Sequence, residues 1–160
     1  MRKNCSELIK WSSTFECGLK LIDDQHKALV ALVNDMFNHV TGKEADERAY
    51  FKKIILEVTT YVKVHFATEE KILTATKFHG YAEHKREHDN FIYTVTKNIK
   101  DFESGKRLSF KNFTKFLKDW VLSHIAVMDK QYFEYFRKIA TRKDDGKLSI
   151  DSNDVRRGML

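Results

Sequence analysis

The sequence predicts an all-α protein, an up-down-up-down antiparallel four-helix bundle with an N-terminal arm and a short polar C-terminal tail. Three observations carry that expectation. The 160 residues contain no proline and only six glycines, so nothing forbids long uninterrupted helices. Apolar residues recur at helical period along four separate stretches. Short turn signals separate those stretches, which favours antiparallel neighbours. A chain of this length buries a sizeable core as one domain. Residues 1–140 are expected to form bundle and arm, and residues 141–160 the tail.

In the arm, residues 1–22, the apolar anchors Trp11, Phe15, Leu19, Leu21 and Ile22 are too irregular for one helix and are expected to pack along the bundle. Asp23 or Asp24 is the expected N-cap of the first helix. Its stripe is His26, Val30, Val33, Phe37 and Val40, with Leu29 and Met36 beside it, and Gly42 ends it. The second helix starts near Ala45 and reads Phe51, Ile54/Ile55, Val58, Tyr61/Val62, His65, Glu69, Ile72/Leu73. Lys77-Phe78-His79-Gly80 is the turn into the third, whose stripe is Tyr81, His84, His88, Phe91/Ile92, Val95, Ile99 and Phe102, ending at Ser104-Gly105. The fourth is capped near Ser109 and carries Phe113, Phe116/Leu117, Trp120, Val121, His124, Met128, Tyr132, Tyr135/Phe136 and Ile139. The tail is polar. Its Asp145-Gly146 turn lacks a calcium loop's acidic ligands, with Thr141, Lys143 and Ser152 where they would stand.

Composition narrows the class. With 42% hydrophobic and 32% charged residues the chain reads as soluble and globular. The net charge of +6 is spread along the chain, with no basic run interleaved with aromatics, so no nucleic-acid partner is expected. The first residues lack an apolar h-region, so no signal peptide is expected. The longest purely apolar run, residues 28–33, is too short to span a bilayer, so no membrane partner is expected either. Cys5 and Cys17 have neither zinc spacing nor the density of a disulfide scaffold, and read as reduced thiols of a cytoplasmic protein.

Polar residues interrupt the buried stripes. His65/Glu69 and His84/His88 are i,i+4 pairs, and side chains four apart lie on one helix face. In the expected topology, His26 at the start of helix one and His124 with Asp129 in helix four fall toward the same end of the bundle. Burying each such group without a partner would cost a few kcal/mol, and a metal removes that cost. His39 and His79 stay outside this set. Five imidazoles exceed the needs of one four-coordinate zinc, whereas imidazole with carboxylate suits a pair of irons bridged by the carboxylates. With one bridging oxygen, the seven side chains fill eleven of the twelve positions of two octahedra, leaving one for a small molecule.

Asp23-Asp24-Gln25-His26, His65-Phe66-x-x-Glu69-Glu70, His84-x-x-x-His88 and His124-Ile125-x-x-x-Asp129 together resemble the hemerythrin family, its bacterial single-domain members in particular, over residues 11–140. The resemblance implies a non-haem pair of iron ions, Fe2+ or Fe3+, with an oxo or hydroxo bridge, whose partner is dioxygen, bound reversibly. It implies His84, His88 and His124 on one iron, His26 and His65 on the other, Glu69 and Asp129 as bridges, and the vacancy on the two-histidine iron. Leu29, Phe66, Trp120, Val121 and Ile125 would then wall the oxygen site against water. The expected role is non-enzymatic: an oxygen carrier, store or scavenger. The alternative is an oxygen- or redox-sensing or iron–sulfur-repair protein using the same site, with the tail as a candidate protein-binding segment. A ferritin-like oxidase fits less well, because no glutamate has histidine three residues on.

His124 and Asp129 pose a local problem. Five residues at about 100° each put them roughly 140° apart on a regular helix. Either a π-type bulge lies between Ile125 and Asp129, or a regular helix lets the pair straddle the metals. The regular helix is the expectation, because no Gly or Ser pair marks a distortion and Met128 continues the apolar stripe.

Overall fold

The computed structural model describes residues 7–106 and 109–141. Among these there is no strand. The helices are α1 (Lys20–Asn38), α2 (Glu44–Ala75), α3 (Tyr81–Glu103), α4 (Phe110–Ser123) and α5 (Asp129–Thr141), with a π-helical turn over His124–Met128 between the last two. α4, the π turn and α5 form the fourth rod of a four-helix bundle in which α1 packs on α2 and α4, and α2 packs on α3. Residues 142–160, and with them nearly all of the expected tail, lie outside the described residues, as does Cys5.

The arm docks by both polar and apolar contacts. The Ile9 amide donates to Asn34 Oδ1 and the Asn34 side-chain amide donates to the Ile9 carbonyl, each at 2.8 Å. Ile9 and Phe15 are buried, the latter in a 3-10 turn over Ser13–Phe15. Ile22 is buried as expected, but two expected anchors do not serve as such: Leu19 and Leu21 are exposed, while Cys17, not among the expected anchors, is buried.

The start of α1 differs from the expectation of a cap at Asp23 or Asp24. The helix begins at Lys20, and the buried Asp23 carboxylate reaches back to accept the amides of Cys17 (2.7 Å) and Gly18 (3.1 Å). An acidic residue in the first turn satisfies backbone donors just before the helix as well as a cap would. At the other end α1 stops at Asn38, not Gly42. Gly42 instead turns the loop with φ +74°, and its amide and that of Thr41 donate to Glu47 Oε1 in the first turn of α2. The buried stripe of α1 follows Ile22, His26, Leu29, Val33 and Met36, so Phe37 is turned outward.

α2, α3 and the Ser109 cap match the sequence. The Ser109 side chain accepts the Asn112 amide, and Gly80 precedes α3. Gly80 is required by space: a Cβ there would meet the Phe78 ring at 2.7 Å. Phe78 closes a smaller apolar cluster with Cys17, Ile22, Leu73, Tyr132, Phe133 and Phe136 at one end of the bundle. The larger core runs through Leu29, Val33, Phe51, Val58, Phe66, Phe91, Val95, Leu117, Val121 and Ile125. No described helix is long and apolar enough to cross a membrane.

Candidate metal centre

Between the two apolar clusters lies a polar layer. α1 contributes His26 one turn and a half from its start, and α2 contributes His65 and Glu69 in its second half. α3 contributes His84 and His88 in its first two turns. The π turn opens on His124, and Asp129 follows it. All seven are buried, with Glu69 and Asp129 fully so. Their ligand-type atoms form two groups within 4.8 Å that share one carboxylate: Glu69, His84, His88 and His124, and His26, His65, Glu69 and Asp129. His39 and His79 are exposed and belong to neither.

Glu69 is the hub. Its Oε2 lies 3.2 Å from His88 Nε2 and 3.5 Å from the Nε2 atoms of His65 and His84, and its Oε1 lies 3.8 Å from His26 Nε2. Asp129 faces it, with Oδ2 3.1 Å from His26 Nε2 and Oδ1 3.2 Å from His124 Nε2. The Nε2 atoms of His88 and His124 approach to 3.0 Å.

The expectation of a regular helix through Asp129 is overturned. The Asp129 amide donates to the His124 carbonyl, five residues back. The inserted residue widens the turn and brings His124 and Asp129 to one side of the rod. Met128, expected on the apolar stripe, is only half-buried, and Val127 is exposed.

Electrostatics follow from burial and proximity. Burial disfavours the His26 cation, but the Asp129 and Glu69 carboxylates outweigh it and push that ring up to about 9. Burial dominates at His65, which drops to about 4 despite Glu69. Burial also opposes ionisation of Glu69, yet His65 and the other surrounding imidazoles hold it well below the usual carboxylate range. His124, opposed by burial but facing Asp129 and Glu69, is raised.

Two of the expected wall residues touch the rings of this layer. Phe66 stacks flat on His88 at 3.6 Å between ring centroids, and Trp120 stacks on His124 at 4.2 Å. Leu29, Val121 and Ile125 are buried in the larger core, while Trp120 is half-buried at its edge. Sequence reasoning left three neighbours without a role. The Tyr132 hydroxyl donates to Glu69 Oε1 at 2.5 Å, Gln25 Oε1 lies 3.0 Å from His65 Nδ1, and Glu70 Oε1 lies 3.0 Å from His88 Nδ1. Tyr132 stands one turn beyond Asp129, and Gln25 and Glu70 each adjoin a member of the cluster. That adjacency was their only signal.

Comparison with known proteins gives a consistent family. Residues 17–136 match the model of the hemerythrin HHE cation binding domain. A bacteriohemerythrin of Clostridium acetobutylicum is 29% identical over 78% of this chain and 98% of its own. One of Methylococcus capsulatus is 30% identical over 78% and 94%. A hemerythrin of Phascolopsis gouldii is 27% identical over 76% and 88%. Among solved structures, a wild-type hemerythrin superposes with a TM-score of 0.68 at 29% identity, covering 79% of this chain and 96% of that one.

Proposed function

The chain belongs to the hemerythrin family, and on that premise we propose that it binds dioxygen reversibly at a pair of iron ions held by His26, His65, Glu69, His84, His88, His124 and Asp129. One observation carries the proposal. His26 Nε2, His65 Nε2 and both Asp129 carboxylate oxygens are buried, and although Asp129 lies 3.1 Å from His26 Nε2 and 3.2 Å from His124 Nε2, none of these atoms makes a hydrogen bond of proper geometry among the described residues. Leaving such atoms unpaired costs on the order of 1–3 kcal/mol each, more for the carboxylate. Cations between them turn every one of these costs into a bond. The donor set fits iron, since it offers imidazole and carboxylate, and the one described cysteine, Cys17, belongs to neither group. Two groups sharing Glu69 fit two ions with that carboxylate between them.

His84, His88 and His124 would hold one ion, and His26 and His65 the other, with Glu69 and Asp129 spanning both. The chemistry supplied by the bound pair is transfer of two electrons to dioxygen, reversed on release. The chain's own part is to hold and to shield. Tyr132 orients Glu69 through its hydroxyl. Phe66 and Trp120 fix the planes of His88 and His124 by stacking. Leu29, Phe66, Trp120, Val121 and Ile125 keep water and stray proton donors from the site. The role is binding, as carrier, store or scavenger, rather than turnover.

The test is an optical spectrum of the iron-loaded protein, reduced without oxygen, then cycled through air and vacuum. Bands that appear and vanish with oxygen over repeated cycles support the proposal. Irreversible conversion in the first cycle, or metal analysis giving one zinc per chain, overturns it.

A further inference from the structure

We propose that Gln25 and Glu70 are positioning residues that hold His65 and His88 from behind and polarise them unequally, a neutral amide behind one ring and a carboxylate behind the other. The proposal deepens the di-iron reading and rests on it for its second half only.

Hydrogen-bond accounting assigns the ring protons. The Thr68 hydroxyl donates to the Val64 carbonyl at 2.7 Å, so it can only accept from Gln25, whose Nε2 lies 3.4 Å away. That orients the amide and turns Gln25 Oε1 toward His65 Nδ1, 3.0 Å distant. Gln25 itself is anchored, because the Tyr61 hydroxyl donates to its main-chain carbonyl. An amide oxygen only accepts, so His65 carries its proton on Nδ1 and presents a bare Nε2, the atom left without a partner at the centre.

His88 is arranged likewise but with a charge behind it. Its Nδ1 lies 3.0 Å from Glu70 Oε1, and an ionised carboxylate only accepts, so Nδ1 carries a proton and Nε2 is the nitrogen turned toward Glu69 and His124. Lys85 stands 3.8 Å from the same Glu70 oxygen and is also bonded to Asp89, giving the carboxylate a counter-charge at the edge of the protein. Phe66, parallel to the His88 ring within 3°, fixes its plane.

The two acceptors differ in strength. A carboxylate draws the Nδ1 proton harder than an amide does and makes the opposite nitrogen a better donor to a metal. A metal on the His88 side is thereby biased toward the higher oxidation state relative to one on the His65 side. The two sides also differ in histidine number, three against two, so the unequal acceptors add to an asymmetry already present in the cluster.

Two measurements test the two halves. The first uses the metal-free protein with 15N-labelled histidine, so its result does not depend on iron. In the wild type His65 and His88 should each show protonated Nδ1. In Gln25→Leu and Glu70→Leu the ring that lost its acceptor should become a mixture of tautomers. Unchanged tautomers in both Leu variants would overturn the positioning role. The second uses isosteric variants, which keep the hydrogen bond and change only the charge. At a fixed potential, Glu70→Gln should lower the ferric-to-ferrous ratio about tenfold and Gln25→Glu should raise it about tenfold, equivalent to roughly 59 mV in opposite directions. Shifts of the same sign, or none, would overturn the unequal polarisation. A chain that keeps both tautomers but takes up no iron would overturn the di-iron reading and leave the positioning role standing.

Discussion

The backbone amide of Asp129 donates to the carbonyl of His124, and that single five-residue hydrogen bond is what lets the two side chains meet at 3.2 Å. On a regular helix they would point about 140° apart. The π turn loses the regular ladder locally and exposes Val127, a local cost that is offset where both side chains reach one centre.

Asp129→Ala therefore removes more than one ligand. Its oxygens face His26 from one group and His124 and His84 from the other. Elemental analysis of the variant is expected to give fewer than two irons per chain. Two tightly held irons would show that Asp129 does not span the pair.

Metal uptake should release protons. The metal-free His26 ring is held up to about 9 by Asp129 and Glu69 against its burial, so it carries a proton at pH 7.5 that a metal must displace. Affinity should rise with pH and level off above about 9. The same shift has the opposite consequence for the metal-free fold. The folded form holds this proton more tightly than the unfolded chain, whose ordinary value is about 6.5. The stabilisation is complete below the unfolded value and is lost as pH rises through about 9. Titration in weak buffer checks the first statement and chemical denaturation between pH 6 and 10 the second; metal binding without proton release at pH 7.5 contradicts the assignment.

Leu29→Ala opens space one turn from His26. Leu29 is 1% exposed, so the cavity should cost about 2–5 kcal/mol of stability. If Leu29 also shields the oxygen site, the oxygen adduct should convert to the inactive diferric form faster than in wild type, by stopped-flow absorbance. Loss of stability with an unchanged rate would leave Leu29 a core residue only.

Tyr132→Phe deletes one hydroxyl from a fully buried ring and leaves Glu69 Oε1 without that donor. Hydrogen bonds to charged groups contribute about 1.5–3 kcal/mol, so the variant should fold with a loss of that order, read by urea denaturation. Its iron pair should be held less firmly, read as faster loss to a chelator. An unchanged rate would show that Glu69 is oriented without Tyr132.

Much of this protein is written locally. The absence of proline and the recurrence of apolar residues at helical period determine the four rods, because each turn is closed by bonds four residues away. The i,i+4 pairs His65/Glu69 and His84/His88 are legible for the same reason, and they meet because short loops force the rods antiparallel. Local rules misled where two local solutions compete. Asp23 could cap its own helix or reach back to Cys17 and Gly18, and the segment after His124 could stay α or widen. The tertiary structure decided both, since docking of the arm and convergence on Glu69 favour arrangements that no single turn prefers. It alone decided the layer behind the cluster. Gln25 with His65, Glu70 with His88 and Tyr132 with Glu69 pair residues 40, 18 and 63 positions apart. Such pairs depend on how the rods cross and rotate, which sequence period leaves free, and on rotamers fixed only once the core is packed.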